Sequence, residues 1–212
     1  MSNFRPTRID RFPPIIKNLI IINILVWIAQ LILDNQYQIT LRGALWPINT
    51  PLFEPYQIFT TMFLHAPSLN MFFHIFFNMF ALFMFGRVLE NIWGAKRFLF
   101  YYLICGIGAS ATHIVMQYFM GGFSFAIGAS GAVMGVLVAF AYLFPNTELI
   151  IIPIPFPVKA KWAVLVFVLI DLFGGFGQIQ GDNIGHFAHL GGALTGFIIV
   201  LFWNKTNRKT LY

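Results

Sequence analysis

The sequence predicts an all-α integral membrane protein, a bundle of six transmembrane helices with both termini in the cytoplasm. Of its 212 residues, 58% are hydrophobic and only 9% are charged, and the mean hydropathy is +0.77. Soluble domains usually carry about 25% charged residues. The apolar residues form runs long enough to cross a bilayer, and the basic residues cluster between those runs. We therefore expect one membrane domain over residues 1–212.

Charge and cysteine content exclude two other classes of protein. The net charge is +6, but the basic residues lie in short clusters between apolar runs, which indicates membrane topology rather than a nucleic-acid-binding surface. The single cysteine, Cys105, lies inside an apolar run. A disulfide framework and a cysteine metal site are thus excluded, and we expect Cys105 to be a small packing residue.

The chain begins with a short basic segment, residues 1–14, which we expect in the cytoplasm. The run 15–33 follows and is predicted to be the first span, because it is too long for a signal-peptide core and no small-residue cleavage site follows it. Residues 34–69 contain four prolines and several aromatic residues. Such a segment cannot cross a bilayer as a helix, and we expect it to lie in the membrane interface and to serve function.

Five further spans are predicted at about residues 70–89, 98–119, 129–144, 161–178 and 185–203, followed by a short basic cytoplasmic tail at 204–212. The fifth is the least regular, since Asp171 lies within it and the glycines of 174–177 can end it early.

The positions of the basic residues predict the topology. With the N-terminus inside, 12 of the 13 Lys and Arg residues face the cytoplasm and one, Arg42, faces outward. The cytoplasmic residues are Arg5, Arg8, Arg11, Lys17, Arg87, Lys96, Arg97, Lys159, Lys161, Lys205, Arg208 and Lys209. Because basic residues are enriched in cytoplasmic segments, both termini are expected there.

The segment Gly-Ala-Ser-Gly-Ala-Val at 128–133 places a serine between glycines at the start of the fourth span. One interpretation is close helix packing through small residues. The other is a nucleophile at a helix N-terminus, where free backbone N–H groups can stabilise an oxyanion. Taken alone, this six-residue motif favours the interpretation as close helix packing.

Two histidines favour the catalytic interpretation. The second, fourth and sixth spans all enter from the outer face, so His74, Ser130 and His189 are expected at a similar shallow depth. Each histidine lies roughly 6 Å into its span. Polar side chains inside a membrane are costly and usually functional. We therefore expect His189 to act as general base for Ser130.

Glycines and a polar pair support this arrangement. Gly192 and Gly196 share a helix face with His189, and Gly128, Gly131 and Gly135 have the same spacing on the fourth span. Such faces let two helices approach closely. His74 and Asn78 lie four residues apart and could donate, with the Ser130 N–H, to an oxyanion. The alternative for this pair is a polar contact that joins two helices.

Other polar residues offer competing assignments. His186, one turn from His189, is the rival general base. Asp171 could be the third member of a triad, but its mid-span position predicts that it lies away from the shallow level and bonds locally. His65 and His113 could form a metal site with His74. No H-E-x-x-H pair is present and no carboxylate lies among these histidines, so we expect neither zinc nor another cofactor.

Three motifs, at 74–78 (His-Ile-Phe-Phe-Asn), 128–131 and 188–196, resemble those of the rhomboid intramembrane serine proteases, over about residues 15–203. The resemblance implies that Ser130 is the nucleophile and His189 its base, in a dyad without an acidic member. It further implies that His74 and Asn78 stabilise the oxyanion and that the glycines of the sixth span pack the bundle. The chain departs from the family pattern at Met134, where many members have tyrosine, and at Ile92, where an arginine is common.

The expected function is therefore a serine endopeptidase that cleaves transmembrane protein substrates within the bilayer through an acyl-enzyme. No nucleic-acid partner is expected. Because no organelle-targeting presequence is recognisable, we expect a multi-pass protein of a bacterial inner membrane. The alternative is a non-catalytic rhomboid-like protein that binds client transmembrane helices. A transporter is disfavoured because the polar residues cluster at one level and no inverted repeat is evident.

Overall fold

The computed structural model describes residues 10–121, 124–151, 155–177 and 185–206, most of which are helical. The helices are α1 (Pro14–Tyr37), α2 (Ile39–Gly43), α3 (Gln57–Thr60), α4 (Phe72–Ala81), α5 (Arg87–Trp93), α6 (Ala95–Met120), α7 (Ser130–Leu143), α8 (Ala160–Gly177) and α9 (His186–Thr206). Short 3-10 turns at Thr61–Phe63 and Leu69–Met71 and a π-helical turn at Leu82–Gly86 adjoin α3 and α4. Strands β1 (Glu148–Leu149) and β2 (Val158–Lys159) form an antiparallel hairpin before α8.

The six predicted spans correspond to helices whose ends lie within four residues of the predicted ones. Within the described ranges, five helical stretches are long and apolar enough to cross a membrane, one of them the continuous stretch Leu69–Trp93. Helix α7 has 14 residues and is about 21 Å long, shorter than a bilayer core of about 30 Å. The orientation and the cytoplasmic termini stay predictions; Arg5, Arg8, Arg208 and Lys209 lie outside the described residues.

The peripheral helices present large apolar side chains outward. On α4, Phe73 and Phe77 are exposed, and on α8 the same is true of Ile170 and Phe173. A water-soluble monomer rarely shows apolar surface on this scale. The outward face is therefore suited to lipid, as the composition predicted.

The interior is organised around α7, which packs against both α6 and α9. A Cβ atom at Gly192 would collide with the backbone carbonyl of Gly131, and one at Gly135 would lie 2.5 Å from the Cys105 sulfur. The Tyr101 hydroxyl donates to the Gly135 carbonyl at 2.7 Å. The predicted glycine-lined approach of two helices is thus present, and Cys105 is a buried packing residue.

The loop between α1 and α4 is tied to the segment that precedes α7. Leu45 and Ala126 exchange two backbone hydrogen bonds of 3.0 Å. The Thr61 hydroxyl also donates to the Ala126 carbonyl, at 2.6 Å, and the Gly128 N–H donates to the Thr61 carbonyl at 3.0 Å. The loop therefore fixes the chain just before Ser130.

A buried carboxylate stabilises the start of α1. Glu90, 3% exposed, accepts hydrogen bonds from the backbone N–H groups of Ile15 and Ile16 at 2.9 and 2.8 Å. These donors belong to the first turn of α1 and have no acceptor within the helix. A negative charge at this end also interacts favourably with the helix dipole.

Candidate active site

Ser130 is the first residue of α7, so its backbone N–H has no acceptor within the helix. The chain reaches it through Gly128, whose φ of +125° is readily adopted only by glycine. A Cβ atom at this position would lie 3.0 Å from the His74 Nε2. Gly128 therefore leaves room for the His74 imidazole beside the serine.

His189 lies three residues into α9, with its Nε2 2.7 Å from the Ser130 Oγ. The side chain is largely buried, at 19% exposed. Helices α7 and α9 bring the two groups together through the glycine contact described above. This distance permits direct proton transfer between the hydroxyl and the imidazole.

The structure places Asp171 in the same cluster, so the prediction that it lies away from the site and bonds locally was wrong. Its Oδ1 is 2.9 Å from the Nδ1 of His189 and 2.8 Å from the Nδ1 of His186. Asp171 lies six residues before the end of α8 and His189 three residues after the start of α9. At the helical rise per residue, Asp171 lies about 9 Å from the end of α8 and His189 about 4.5 Å from the start of α9. The difference between these two distances is smaller than the combined length of the two side chains.

Glycines explain the close contact of α8 with α9. A Cβ atom at Gly174 would lie 2.5 Å from the His186 ring, and one at Gly175 would lie 3.0 Å from the Phe187 ring. The sequence predicts a possible helix end at these glycines, whereas α8 continues to Gly177. The predicted rival base, His186, directs its Nδ1 to Asp171, and the imidazole nitrogen 2.7 Å from the serine belongs to His189.

The predicted oxyanion pair lies on α4, beside a third histidine. The Asn78 Nδ2 donates to the His74 carbonyl at 3.0 Å and is 3.3 Å from the Nε2 of His65. The rings of His65 and His74 are 5.1 Å apart. Both N–H groups of the Asn78 amide are therefore directed at acceptors other than a substrate.

The sequence predicts only a possible metal-ligand role for His65. It is fully buried, and its backbone N–H donates to the Gln30 side chain at 3.0 Å. Burial, together with the neighbouring His74, lowers the pKa of His65 to about 3. The ring is thus neutral near pH 7, and its Nε2 can accept from Asn78. No spacing in the sequence signals this contact, because His65 precedes the helix that carries Asn78.

The described residues contain no group of three or more His, Cys, Asp or Glu side chains placed to hold a metal ion. His65, His74 and His113 therefore do not form the metal site considered above. What the cluster does contain is a hydroxyl, an adjacent imidazole and free backbone N–H groups at a helix start. This combination is suited to nucleophilic acyl transfer.

Comparison with known proteins gives the family. A family model described as Rhomboid domain matches residues 52–205, well over half of the chain. The chain belongs to the rhomboid family. The resemblance carried by the three motifs is thereby confirmed, and the predicted helical membrane bundle agrees with it.

Similar rhomboids occur in bacteria and in mitochondria. The chain is 34% identical over 144 residues to the bovine Presenilin-associated rhomboid-like protein, mitochondrial, covering 66% of this chain and 37% of that protein. It is 30% identical over 184 residues to Rhomboid protease AarA of Providencia stuartii, covering 78% of this chain and 58% of AarA. It is 33% identical over 125 residues to Rhomboid protease GluP of Bacillus subtilis, covering 58% and 22%.

This rhomboid is a multi-pass membrane protein, since its described residues include five helical stretches long and apolar enough to cross a membrane. The chain spans little more than a third of the length of the mitochondrial relatives it matches. Because both mitochondrial and bacterial rhomboids match, location in a bacterial inner membrane stays a prediction.

Proposed function

We propose that this rhomboid is an intramembrane serine endopeptidase that cleaves transmembrane protein substrates, with Ser130 as nucleophile and His189 as general base. The observation that carries the proposal is the 2.7 Å contact between the Ser130 Oγ and the His189 Nε2, at the start of a helix buried in the bundle. Two similar rhomboids, AarA and GluP, are named as proteases.

The first half of the reaction forms an acyl-enzyme. The Ser130 hydroxyl gives its proton to the His189 Nε2 as its Oγ attacks the scissile carbonyl carbon, and the carbonyl π electrons move to oxygen. When this tetrahedral intermediate collapses, the C–N bond breaks and His189 returns the proton to the leaving amine. The products of this half are an ester on Ser130 and a free amine.

The oxyanion of the intermediate lies against the N-terminus of α7 in this proposal. We assign the Ser130 N–H and the His74 ring as its donors, since the His74 Nε2 lies beside Gly128, two residues before Ser130. The Asn78 amide joins them only if it releases His65 or the His74 carbonyl. We therefore assign His74 the larger share of the oxyanion stabilisation and Asn78 a role that begins when substrate binds.

Water completes the cycle. His189 takes a proton from a water molecule, the hydroxide oxygen attacks the ester carbon, and collapse of the second intermediate breaks the C–Oγ bond. The proton on His189 then returns to Ser130. The substrate segment must leave its helical conformation near the cleaved bond, because a helix keeps its carbonyls hydrogen-bonded inside the bilayer. Small or helix-breaking residues there are expected to favour cleavage.

The test combines labelling of the purified protein by a serine-directed fluorophosphonate with cleavage of a transmembrane reporter in liposomes. We expect the wild type to label and cleave, and Ser130→Ala and His189→Ala to do neither. The matched control is Ser110→Ala, which removes another buried serine hydroxyl, one that donates to the Ile58 carbonyl. This variant should keep both activities.

Two results contradict the proposal. Labelling that persists in Ser130→Ala assigns the nucleophile to another residue. A folded wild type that neither labels nor cleaves any transmembrane reporter excludes a protease, and binding of client helices without cleavage then becomes the better explanation.

A further inference from the structure

The carboxylate of Asp171 lies in an unusual place. Helix α8 is apolar over most of its length and faces outward with Ile170 and Phe173, yet Asp171, between them, is only 6% exposed. An acidic side chain inside a membrane-spanning helix is costly and usually has a functional reason. Among the described residues, its two hydrogen-bond partners are histidines of α9, one of them the proposed general base.

The chemistry of the contact determines which nitrogen of His189 carries a proton. An ionised carboxylate only accepts hydrogen bonds, so the Nδ1 of His189, 2.9 Å from Asp171 Oδ1, must donate. In the neutral ring the Nε2 is then unprotonated, and its lone pair is directed at the Ser130 hydroxyl 2.7 Å away. The opposite tautomer would place a hydrogen where the serine proton has to go.

We propose that Asp171 is a positioning residue that holds His189 in the tautomer and orientation needed to accept the Ser130 proton, and that stabilises the imidazolium once it forms. This inference rests on the proposed function and extends it from a dyad to a Ser130–His189–Asp171 triad. It departs from the dyad without an acidic member that the resemblance to rhomboid proteases implies.

His186 has a supporting place in this arrangement. Its Nδ1 is 2.8 Å from the same Asp171 oxygen, and its ring fills the space left open by Gly174. Two donors on one oxygen restrict the rotation of the carboxylate, which keeps it aimed at α9. Loss of His186 should therefore reduce catalytic activity less than loss of Asp171, because the contact between Asp171 and His189 persists.

The kinetic test compares Asp171→Asn, which keeps the shape and removes the charge, with His186→Gln. In serine hydrolases, loss of the orienting carboxylate lowers kcat by about 10⁴-fold. We expect a 10²- to 10⁴-fold fall in kcat for Asp171→Asn with little change in KM, and a smaller fall for His186→Gln. A purely structural role would instead change KM and thermal stability along with kcat.

A spectroscopic test does not depend on activity. The chain has five histidines, so ¹⁵N-histidine labelling gives a spectrum that single substitutions can assign. We expect the wild-type His189 to carry its proton on Nδ1, and Asp171→Asn to lose this preference. A wild-type His189 protonated on Nε2 overturns the inference, even where Asp171→Asn does not fold.

The two proposals fail in different ways. If Asp171→Asn labels at the wild-type rate with an unchanged His189 tautomer, the positioning role is refuted while the protease assignment stands. If the wild type is inert to the fluorophosphonate, the protease assignment fails, and the wild-type and Asp171→Asn spectra still decide whether Asp171 positions His189.

Discussion

The substitution Gly192→Ala tests the contact on which the candidate site depends. Gly192 packs on the backbone of Gly131, one residue after Ser130, and an added methyl group would overlap the Gly131 carbonyl. The methyl carbon would lie 2.6 Å from the Gly131 carbonyl carbon, whereas carbon atoms in van der Waals contact are about 3.5–4.0 Å apart, so α9 must move from α7 by about 1 Å or more. His189 lies on the same helix and moves with it.

The effect on activity should exceed the effect on stability. Overpacking costs about 1–3 kcal/mol, whereas replacing a helical glycine by alanine returns about 1 kcal/mol of helix propensity. The net loss is thus at most about 2 kcal/mol. The contact between Ser130 and His189 would lengthen from 2.7 to about 3.7 Å, beyond hydrogen-bonding distance, and a misplacement of this size costs roughly 10²-fold in rate.

The assay measures the rate of fluorophosphonate labelling beside the thermal unfolding temperature. Cys105 is the single cysteine and is fully buried, so a thiol-reactive dye reports unfolding directly. The matched control is Gly185→Ala, where the added methyl group would lie 3.6 Å from Ala188, an ordinary contact. Wild-type labelling by Gly192→Ala would refute the close glycine packing of α7 against α9 as the basis of the site.

Three further predictions concern the scaffold. Glu90→Ala leaves the first N–H groups of α1 without their acceptor and should lower the free energy of unfolding by about 1–3 kcal/mol. The control is Glu148→Ala, which removes an exposed carboxylate. Because the pKa of His65 falls from 6.5 to about 3 on folding, the unfolded chain binds a proton between these pH values that the native state excludes. From this group, stability should fall by up to about 1.4 kcal/mol per pH unit as the pH drops from 6.5 toward 3, and His65→Gln should flatten the dependence of unfolding temperature on pH between 7 and 5. Thr61→Val removes the hydrogen bond to Ala126, and we expect it to lower the free energy of unfolding by about 0.5–1.5 kcal/mol and to slow fluorophosphonate labelling. The control is the loop variant Thr50→Val. Equal labelling rates for the two variants would show that the loop does not hold Ser130 in place.

The helices and the lipid-facing surface follow from the order of residues alone. A hydrophobic run inside a bilayer must be helical, since an unpaired backbone is not tolerated there. Helix ends therefore agree with the prediction to within four residues. The pairing of Ser130 with His189 was also predictable, because glycines at helical spacing mark the faces that approach each other.

Asp171, His65 and the loop bonds to residues 126–128 required the folded chain. The residue pattern along one helix indicates how deep a residue lies in the membrane and on which face of the helix it lies. It carries no information on how far a neighbouring helix is shifted along its own axis. Asp171 reaches His189 because Gly174 and Gly175 bring α8 against α9 at a particular height. His65 reaches Asn78 because the loop folds back over α4. Such contacts join residues whose separation along the chain predicts nothing about their distance, so only packing of the helices and the loop brings them together.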